Sequence, residues 1–456
     1  MSRTTPQQDA MLEALYDEHI RIQRERADEA LAQCGYETLA VYAGGERIQF
    51  LDDQAYPFKP NPHFKLFTPL VNPVGCWIVH RPGQRLKLVF VRPEDFWFMP
   101  GEIPTAAWTR HFDIEIVRQA HDARAHVAGL PHCAFIGEEQ PEFRDWGFAA
   151  SNPQPLLDRL HYLRAVKTAY EIECMRDASA RAARGHRAAE AAFREGASEY
   201  EIHMAYLIAA GHTESELPYS NIVALNRHAA VLHYQHQQRQ TPALAERRSF
   251  LIDAGASCNG YACDITRTYS YVDDEFAAMI EGMHKLQLAL CDQVRSGVDY
   301  ASIHLDAHLR IATLLRESGV ITMAPEDALA CGLSGVFFPH GVGHLLGLQV
   351  HDPAGRLAAP DGAQKDPPAG HPFLRLTRTL EPGFVVTIEP GLYFIDMLLE
   401  QARASEHARY IDWRAVERFH PCGGVRIEDN VACTTGDPDN LTRPAFLALS
   451  GPLAAR

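Results

Sequence analysis

The chain has 456 residues, a length that exceeds one ordinary hydrophobic core and favours two domains. Hydrophobic residues at 46% and charged residues at 22% are typical of a globular protein. The formal net charge of −15 repels nucleic acids and anionic membranes, and the sequence has no run of about 18 apolar residues that would span a bilayer. We therefore expect no nucleic-acid partner and no membrane attachment.

Cysteine usage and the first residues indicate a compartment. The ten cysteines are scattered without a CxxC pair, which is typical of a reducing environment and argues against a thiolate zinc site. The stretch MSRTTPQQDAMLEALYDEHI has the pattern of an amphipathic helix and lacks the apolar core of a signal peptide. The sequence therefore predicts a cytoplasmic protein.

The first part of the chain has the pattern of a separate α/β domain. Residues 38–150 alternate short β-type runs with turns rich in proline and glycine, the runs being TLAVYAG, CWIVH, LKLVFV and CAFIG. From Leu156 to about Glu195 the pattern is helical. We place the boundary inside this helical stretch, which predicts domains at 1–165 and 166–456.

The second part combines helices with β-type segments and predicts an α+β fold. Amphipathic helices are expected at about 198–211, 274–296 and 299–318, and residues 358–373 have the composition of a loop. The β-type segments are SNIVALN, AAVLHY, RSFLIDAGAS, GYACDITRTYSY, FVVTIEPGLYF and GGVRIEDNVACT. Hairpins with separate helices indicate a curved antiparallel sheet that helices cover on one face.

Four carboxylates occur inside these apolar β-type segments. They are Asp253 in FLIDAG, Asp264 in YACDITR, Glu389 in VVTIEPG and Glu428 in GVRIEDN. Buried anions repel one another unless cations neutralise them. A buried salt-bridge network would need several basic residues, and only Arg267 and Arg426 belong to the same segments. Two divalent metal ions are therefore the preferred interpretation.

Alternation along the strands assigns side chains to faces. In strand geometry Arg426 shares a face with Glu428, and Thr266 shares a face with Asp264. Cys263 points to the opposite face, which predicts packing and not metal ligation. HExxH and GxSxG motifs are absent from the sequence, and the glycines of HGVGH lack the spacing of a dinucleotide-binding turn.

Three histidines lie in the stretch PHGVGHLLGLQVHD, Pro339–Asp352. A histidine taken by itself is more often a hydrogen-bonded structural residue than a functional one. The stretch alone therefore leaves the roles of His340, His344 and His351 open.

The order Asp, Asp, His, Glu, Glu resembles that of bacterial prolidases, the Xaa-Pro dipeptidases of the pita-bread metallopeptidase family, with their organophosphorus acid anhydrolase relatives. FLDDQAYPFKPNPHFK (50–65) and SEYEIHMAYL (198–207) are similar to that group as well, so the resemblance covers essentially the whole chain. It implies an N-terminal α/β domain for dimerisation and site closure, followed by a pita-bread catalytic domain.

The resemblance implies roles for individual positions. The implied ligands of two divalent ions, with Mn²⁺ as the expected metal, are Asp253, Asp264, His344, Glu389 and Glu428. Glu389 resembles the proton shuttle, and His340 and His351 resemble catalytic histidines beside the scissile carbonyl. Arg426 is expected to bind the substrate carboxylate or else to neutralise Glu428. Tyr219 and His233 resemble pocket residues, although either could belong to the core.

The implied reaction is hydrolysis of Xaa-Pro dipeptides before the C-terminal proline, with a side activity on organophosphorus triesters. The alternative is an Xaa-Pro aminopeptidase that acts on longer peptides. A rival from another class, a metal-free pita-bread protein that only binds partners, is disfavoured because the five ligand positions are all filled. The resemblance also implies a homodimer in which a loop of the partner subunit, around Asp52–Pro57, helps to roof the site.

Overall fold

The computed structural model describes residues 6–97 and 99–449 and divides the chain into two compact units. The first unit comprises the described part of Met1–Arg164 with Thr168–Cys174 and Leu357–Ala363. The second unit comprises Ala165–Lys167, Met175–Arg356 and the described part of Gln364–Arg456. The outer ends of the two predicted domains, residues 1–5 and 450–456, lie outside the described residues.

The first unit is built on a six-stranded mixed sheet in the order β4-β3-β2-β1-β5-β6. Its strands are β1 Thr38–Tyr42, β2 Trp77–His80, β3 Leu86–Val91, β4 Phe112–Val117, β5 Cys133–Ile136 and β6 Ala150–Ser151. Its helices are α1 Pro6–Cys34, α2 Pro62–Lys65, α3 Arg124–Val127 and α4 Gln154–Arg164. The pairs β1·β2 and β2·β3 are antiparallel, and the other neighbours are parallel.

The burial of these strands follows their sequences. The central strands β1, β2 and β5 are buried along their whole length, because they are apolar on both faces. All four predicted β-type runs contain a strand of this sheet. The sequence analysis missed β4 and β6, which form the two edges; β4 alternates charged with apolar residues and β6 has only two residues.

The helices described after Arg164 are α5 Ala169–Glu195, whose residues up to Cys174 belong to the first unit, and, in the second unit, α6 Glu199–Ala210, α7 Glu275–Cys291, α8 Tyr300–Glu317, α9 Pro325–Ala330, α10 Ser334–Phe337, α11 Asp396–Arg403, α12 Trp413–Phe419 and α13 Arg443–Ala448. The helices α6, α7 and α8 correspond to the three predicted at about 198–211, 274–296 and 299–318. The helix α6 begins with a capping box, in which Ser198 and Glu201 each accept from the other's backbone N–H. It ends at Gly211, whose φ of 71° is left-handed.

The strands of the second unit form antiparallel sheets. They are β7 Ile222–Leu225, β8 Ser249–Asp253, β9 Ser257–Cys258, β10 Tyr261–Ala262, β11 Thr266–Ser270, β12 Val385–Ile388, β13 Gly391–Tyr393, β14 Gly424–Arg426, β15 Asp429–Ala432 and β16 Asp439–Asn440. The sheet orders are β11-β8-β7, β12-β15-β16, β13-β14 and β10-β9. The predicted α+β class and the antiparallel pairing are confirmed.

Two details of the prediction are wrong. The segment AAVLHY is not a strand, because Asn226–Ala230 forms a 3-10 helix followed by a turn. Three predicted strands are interrupted at their carboxylates, so that Asp264, Glu389 and Glu428 lie between strands. Residues 358–373 contain neither helix nor strand, as predicted. In the described part of the chain no helix has the length and apolar character that a membrane crossing requires.

Candidate metal centre

The interruptions of the strands allow carboxylates from separate hairpins to point into one space. At Glu389 the backbone N–H leaves the ladder and donates to Val342 O at 2.8 Å. At Glu428 it donates to Thr266 O at 3.0 Å. Each carboxylate is therefore attached through its own backbone to a segment of the opposite hairpin or loop.

The interruption at Asp264 is bridged by a side chain. Asn430 Oδ1 accepts from Asp264 N at 3.0 Å, and Asn430 Nδ2 donates to Asp264 O at 2.5 Å. The amide side chain thus replaces the strand partner that Asp264 lacks. Asp253, the last residue of β8, pairs in register with Thr266 and with Ile222, which puts it at the centre of its sheet.

The five predicted ligand residues converge. His344 Nε2 lies 3.5 Å from Asp264 Oδ2 and 3.5 Å from Glu389 Oε1. Ligand atoms of Asp264, His344 and Glu428 lie within 4.8 Å of one another. Asp253 joins the group through Tyr219, whose hydroxyl contacts Asp253 Oδ1 at 2.8 Å and Asp264 Oδ1 at 2.5 Å.

The tautomer of His344 leaves a nitrogen for a metal. Its Nδ1 lies 3.1 Å from Leu345 O, an acceptor only, so Nδ1 carries the proton. In the neutral ring the unprotonated Nε2 faces the carboxylates, which is the usual arrangement of a metal-binding histidine. The backbone of His344 is fixed by Thr387 Oγ1, which accepts its N–H at 3.0 Å.

The pKa values of the carboxylates in the cluster are shifted because several acidic groups lie close together and are buried. Burial, followed by repulsion from Asp264 and other carboxylates, raises the pKa of Glu428 well above its usual value. Burial raises the pKa of Glu389 to about 7 and also raises the pKa of Asp253. The pKa of Asp264 is lowered against its burial, because the carboxylates raise the pKa of His344 in the metal-free protein and the protonated ring donates to Asp264. Asp253, Glu389 and Glu428 lack the positive charge that full ionisation requires.

Arg426 is a fixed positive charge beside the cluster, and its donors are engaged within the protein. Nη2 donates to Asp253 Oδ2 at 2.8 Å, Nη1 to Tyr393 OH at 2.8 Å and Nε to Thr266 Oγ1 at 3.1 Å. The side chain is buried. It binds Asp253 and not Glu428, which instead accepts a bond of 2.7 Å from Thr266 Oγ1.

His340 belongs to a hydrogen-bond chain that starts at Arg426. Its Nδ1 lies 2.8 Å from Gly341 O and therefore carries the proton. Its Nε2 then accepts from Tyr393 OH at 2.9 Å. Burial lowers the pKa of His340 to about 3, so the ring is neutral at pH 7. Both nitrogens of His340 are thus used inside the protein, and these contacts differ from the substrate-facing arrangement expected from the sequence.

His351 and His233 are exposed and lie near the cluster. The ring of His351 meets that of His344 edge-on, with 4.4 Å between centroids. Although the residue is exposed, its ring packs against His344, and this desolvation, followed by the charges of His344 and Arg375, lowers the pKa of His351 to about 4. The charge of His233 lowers the pKa of both His340 and His351, so it faces the same region.

The loop that carries His233 is fixed by Glu199 of α6. This buried carboxylate accepts from Leu225 N at 2.9 Å, His228 Nδ1 at 2.6 Å, Tyr234 OH at 2.8 Å and Gln238 N at 2.9 Å. Donors on both sides of His233 therefore converge on one anion. Hydrogen bonds outweigh burial and lower the pKa of Glu199.

Sequence reasoning missed several residues of the centre. Tyr393 and Asn430 lie in the segments that contain the ligands, and only their long-range contacts reveal a role. Arg375 is exposed and its charge lowers the pKa of His351, and no hydrogen bond of its guanidinium is found within residues 6–97 and 99–449. The only signal in the sequence was a basic residue after the predicted loop 358–373.

The donor set fits divalent metal ions. Four carboxylates and the free Nε2 of His344 offer mainly hard oxygen ligands, which suit Mn²⁺ and similar ions. Two divalent ions would also balance the four carboxylates, and the raised pKa values of Asp253, Glu389 and Glu428 reveal the missing positive charge. Cys263 is buried and does not join this set; its Sγ accepts from Ala256 N at 3.2 Å.

Comparison with known proteins agrees with this geometry. Residues 14–162 match the Xaa-Pro dipeptidase N-terminal domain, and residues 173–435 match metallopeptidase family M24. An Xaa-Pro dipeptidase of Stenotrophomonas maltophilia (strain K279a) is 51% identical over 440 residues, covering 96% of this chain and 98% of that protein. An Xaa-Pro dipeptidase of Xanthomonas axonopodis pv. citri (strain 306) is 50% identical over 442 residues, covering 96% and 99%.

Among solved structures, aminopeptidase P from E. coli with the inhibitor Pro-Leu superposes with a TM-score of 0.71 at 21% identity. The match covers 94% of this chain and 98% of that one, and it shows that the two proteins share the pita-bread fold. The expected fold class is therefore confirmed. The two domain matches and the relatives of 50–51% identity show that the chain belongs to metallopeptidase family M24.

Proposed function

We propose that the protein hydrolyses Xaa-Pro dipeptides, cleaving the amide bond before the C-terminal proline with the help of two divalent metal ions. The observation that carries this proposal is the convergence of Asp264, Glu389 and Glu428 with His344, to which Asp253 is linked through Tyr219. The names of relatives that are 50–51% identical support the substrate class.

In this proposal the ions are held by Asp253, Asp264, His344, Glu389 and Glu428. When bound, two divalent ions supply Lewis acidity, which makes water a better nucleophile near neutral pH and polarises the scissile carbonyl. Mn²⁺ is the proposed metal, since the donors are oxygen-rich. Tyr219 orients Asp253 and Asp264 through its two contacts.

Glu389 is the proposed proton carrier. The nitrogen of a prolyl amide has no hydrogen, so it must receive a proton as the bond breaks. Glu389 is the member of the cluster attached to the HGVGH segment, through Val342 O, and is partly exposed toward the substrate side. His351 is exposed and neutral at pH 7, so an N–H of its ring is available to the carbonyl oxygen of the substrate.

For the substrate carboxylate the contacts favour a revision of the expected role of Arg426. Its guanidinium already binds Asp253, Tyr393 and Thr266. Arg375 is exposed and its charge acts on His351, so we propose Arg375 as the partner of the carboxylate and Arg426 as the residue that orients Asp253. His340 likewise acts through Tyr393, and His233 lines the pocket.

Three further expectations stay proposals. A side activity on organophosphorus triesters is one, and a cytoplasmic location is another. The third is a homodimer formed through the first unit, where Phe96, Trp97 and Met99 expose 86%, 76% and 94% of their surface. Light scattering coupled to size-exclusion chromatography measures the molar mass in solution and so tests for the homodimer.

The central test combines metal removal with substrate length. We expect the chelated protein to be inactive on an Xaa-Pro dipeptide and Mn²⁺ to restore activity, because the water cannot be activated without the ions. An Xaa-Pro-Yaa tripeptide and a phosphotriester complete the panel. Full activity of metal-free protein would contradict the mechanism, whereas faster cleavage of the tripeptide than of the dipeptide would favour the aminopeptidase alternative.

A further inference from the structure

A second group of histidines lies outside the carboxylate cluster. His304 and His308 are on α8 and are 1% and 2% exposed, and His371 lies on the loop before β12. The three ring centroids are 4.6–4.7 Å apart. The proposed reaction uses none of these residues.

The backbone of the HGVGH segment fixes the tautomer of His304. Val342 N–H donates to His304 Nδ1 at 3.3 Å, so this nitrogen is unprotonated. His304 Nε2 then carries the proton and donates to His371 Nδ1 at 3.0 Å. Burial, followed by the neighbouring histidines, lowers the pKa of His304 to about 2, which keeps the ring neutral. A directed hydrogen-bond chain thus runs from Val342 to His371.

The same three imidazoles have the composition of a zinc site, and their ligand atoms lie within 4.8 Å of one another. A metal on His304 Nε2 would require the proton on Nδ1. That proton would face the N–H of Val342 and leave a buried backbone donor without its acceptor. The hydrogen-bond chain is therefore the arrangement that the backbone selects.

Val342 connects this chain to the metal centre. It lies two residues before His344, and its carbonyl accepts the N–H of Glu389 at 2.8 Å. Val342 thus donates its N–H to His304 and accepts the N–H of Glu389 with its carbonyl oxygen. A shift of Val342 would move both His344 and Glu389.

The helix α8 supports the same region one turn earlier. Tyr300, four residues before His304, donates to Thr387 O at 2.7 Å. Thr387 Oγ1 in turn accepts the N–H of His344 at 3.0 Å. The face of α8 that carries Tyr300, His304 and His308 therefore lies behind the segments that present the proposed ligands.

The other end of the chain is also anchored. A Cβ at Gly341 would meet Leu374 Cα at 3.0 Å and Phe373 O at 3.1 Å, so the backbone after His371 packs directly against the HGVGH segment. His304 thus connects two segments that already touch. Moving His371 would disturb the same contact.

We propose that His304 is a positioning residue for the metal ligand His344, acting through the amide of Val342 with His371 as its hydrogen-bond acceptor. The inference rests on the proposed metal function. His304 would not contact the ions, but it would increase the affinity of the protein for them by orienting a metal ligand, as groups that hydrogen-bond to metal ligands do.

The test compares His304→Leu with His308→Leu, two equal substitutions at equally buried sites on one helix face. Mn²⁺ affinity is measured by calorimetry on metal-depleted protein, and Tm is measured on the same metal-free samples. We expect His304→Leu to weaken Mn²⁺ binding about 10–100-fold. His308→Leu, which loses a contact with Ser334 Oγ, should lower Tm and keep wild-type affinity. His304→Gln can accept from Val342 and donate to His371, so it should restore most of the affinity.

The outcomes separate this inference from the proposed function. Failure of the wild type to bind Mn²⁺ would overturn both, whereas equal Mn²⁺ affinity in wild type and His304→Leu overturns this inference alone. If His304→Leu does not fold, His371→Leu on the half-buried loop decides, and unchanged affinity there counts against the proposal. A third ion bound by the wild type and lost in His308→Leu would show that the cluster is a metal site instead.

Discussion

Glu428 and Asp429 are consecutive buried carboxylates whose pKa values are shifted in opposite directions. Glu428 is 2% exposed, and burial with repulsion from Asp264 raises its pKa well above the usual value. Asp429 is 0% exposed, yet its pKa is lowered, because the charges of Arg267 and Arg443 outweigh its burial. Burial alone therefore does not decide whether a carboxylate ionises.

The difference lies in the partners. Asp429 accepts from Arg267 Nη2 at 2.8 Å, Arg443 Nε at 2.6 Å, Gln287 Nε2 at 3.0 Å and Asn440 Nδ2 at 3.1 Å. Glu428 faces other carboxylates and accepts from Thr266. The protein thus supplies its own cations to Asp429, whereas for Glu428 we propose neutralisation by bound metal ions.

The largest expected effect comes from neutralising these two acids in turn. Asp429→Asn leaves two guanidinium groups without their anion and should destabilise the metal-free protein by about 3–5 kcal/mol. Glu428→Gln removes one charge from a crowded anionic cluster and should leave the metal-free protein as stable as the wild type or more so. Urea unfolding of chelated samples measures both free energies.

For Mn²⁺ affinity we expect the opposite order of effects, with Glu428→Gln more harmful than Asp429→Asn. Glu428→Gln should lose Mn²⁺ binding and activity, whereas the folded fraction of Asp429→Asn should retain the five proposed ligands. Equal destabilisation by both substitutions would show that Glu428 is also a structural ion-pair residue and would contradict the comparison.

The next effect separates the two arginines near the centre. Arg375→Gln should raise KM for an Xaa-Pro dipeptide, because it loses a charge-assisted contact that contributes about 1.5–3 kcal/mol to binding. Hydrolysis of a phosphotriester, which has no carboxylate, should be unchanged. Arg426→Lys should weaken Mn²⁺ binding and affect both substrates equally, because lysine cannot reproduce the contacts to Asp253 and Tyr393. A dipeptide-specific defect in Arg426→Lys would return the carboxylate role to Arg426.

The smallest effect concerns pH. Burial, followed by His371, lowers the pKa of His308 to about 3, so the unfolded chain, with histidine near 6.5, binds the extra proton. Its contribution to stability is complete above about pH 6.5 and falls as the pH decreases toward 3. Glu389, with a pKa of about 7, has the opposite sign, since its folded state binds the extra proton between about pH 4.3 and 7.

Matched glutamine variants of the metal-free protein separate these two contributions. Relative to wild type, His308→Gln should flatten the acid-induced loss of unfolding free energy by about 1.4 kcal/mol per pH unit, and Glu389→Gln should steepen it. Urea unfolding between about pH 4.5 and 6.5 gives these slopes. A slope shared by both variants and the wild type would mean that neither group titrates as described.

The sequence by itself predicted the class of each unit and the four carboxylates of the proposed ligand set, whereas His344 was chosen among three histidines by family resemblance. Charges inside apolar segments stand out locally, which is why Asp253, Asp264, Glu389 and Glu428 were recognised without a structure. Helix periodicity is local as well, and it predicted α6, α7 and α8 nearly to their ends. The strand breaks at Asp264, Glu389 and Glu428 escaped prediction, because segments distant in sequence satisfy their backbone groups.

Only the tertiary structure decided which polar groups meet. Arg426 and Asp253 are 173 residues apart, and strand alternation had paired Arg426 with Glu428 instead. The tautomers of His340 and His304 depend on carbonyl and amide groups that no spacing rule reveals. Local patterns indicate which residues will be buried, whereas the pairing of buried charges depends on long-range packing. That pairing distinguishes the proposed metal centre from the ion pairs of Asp429.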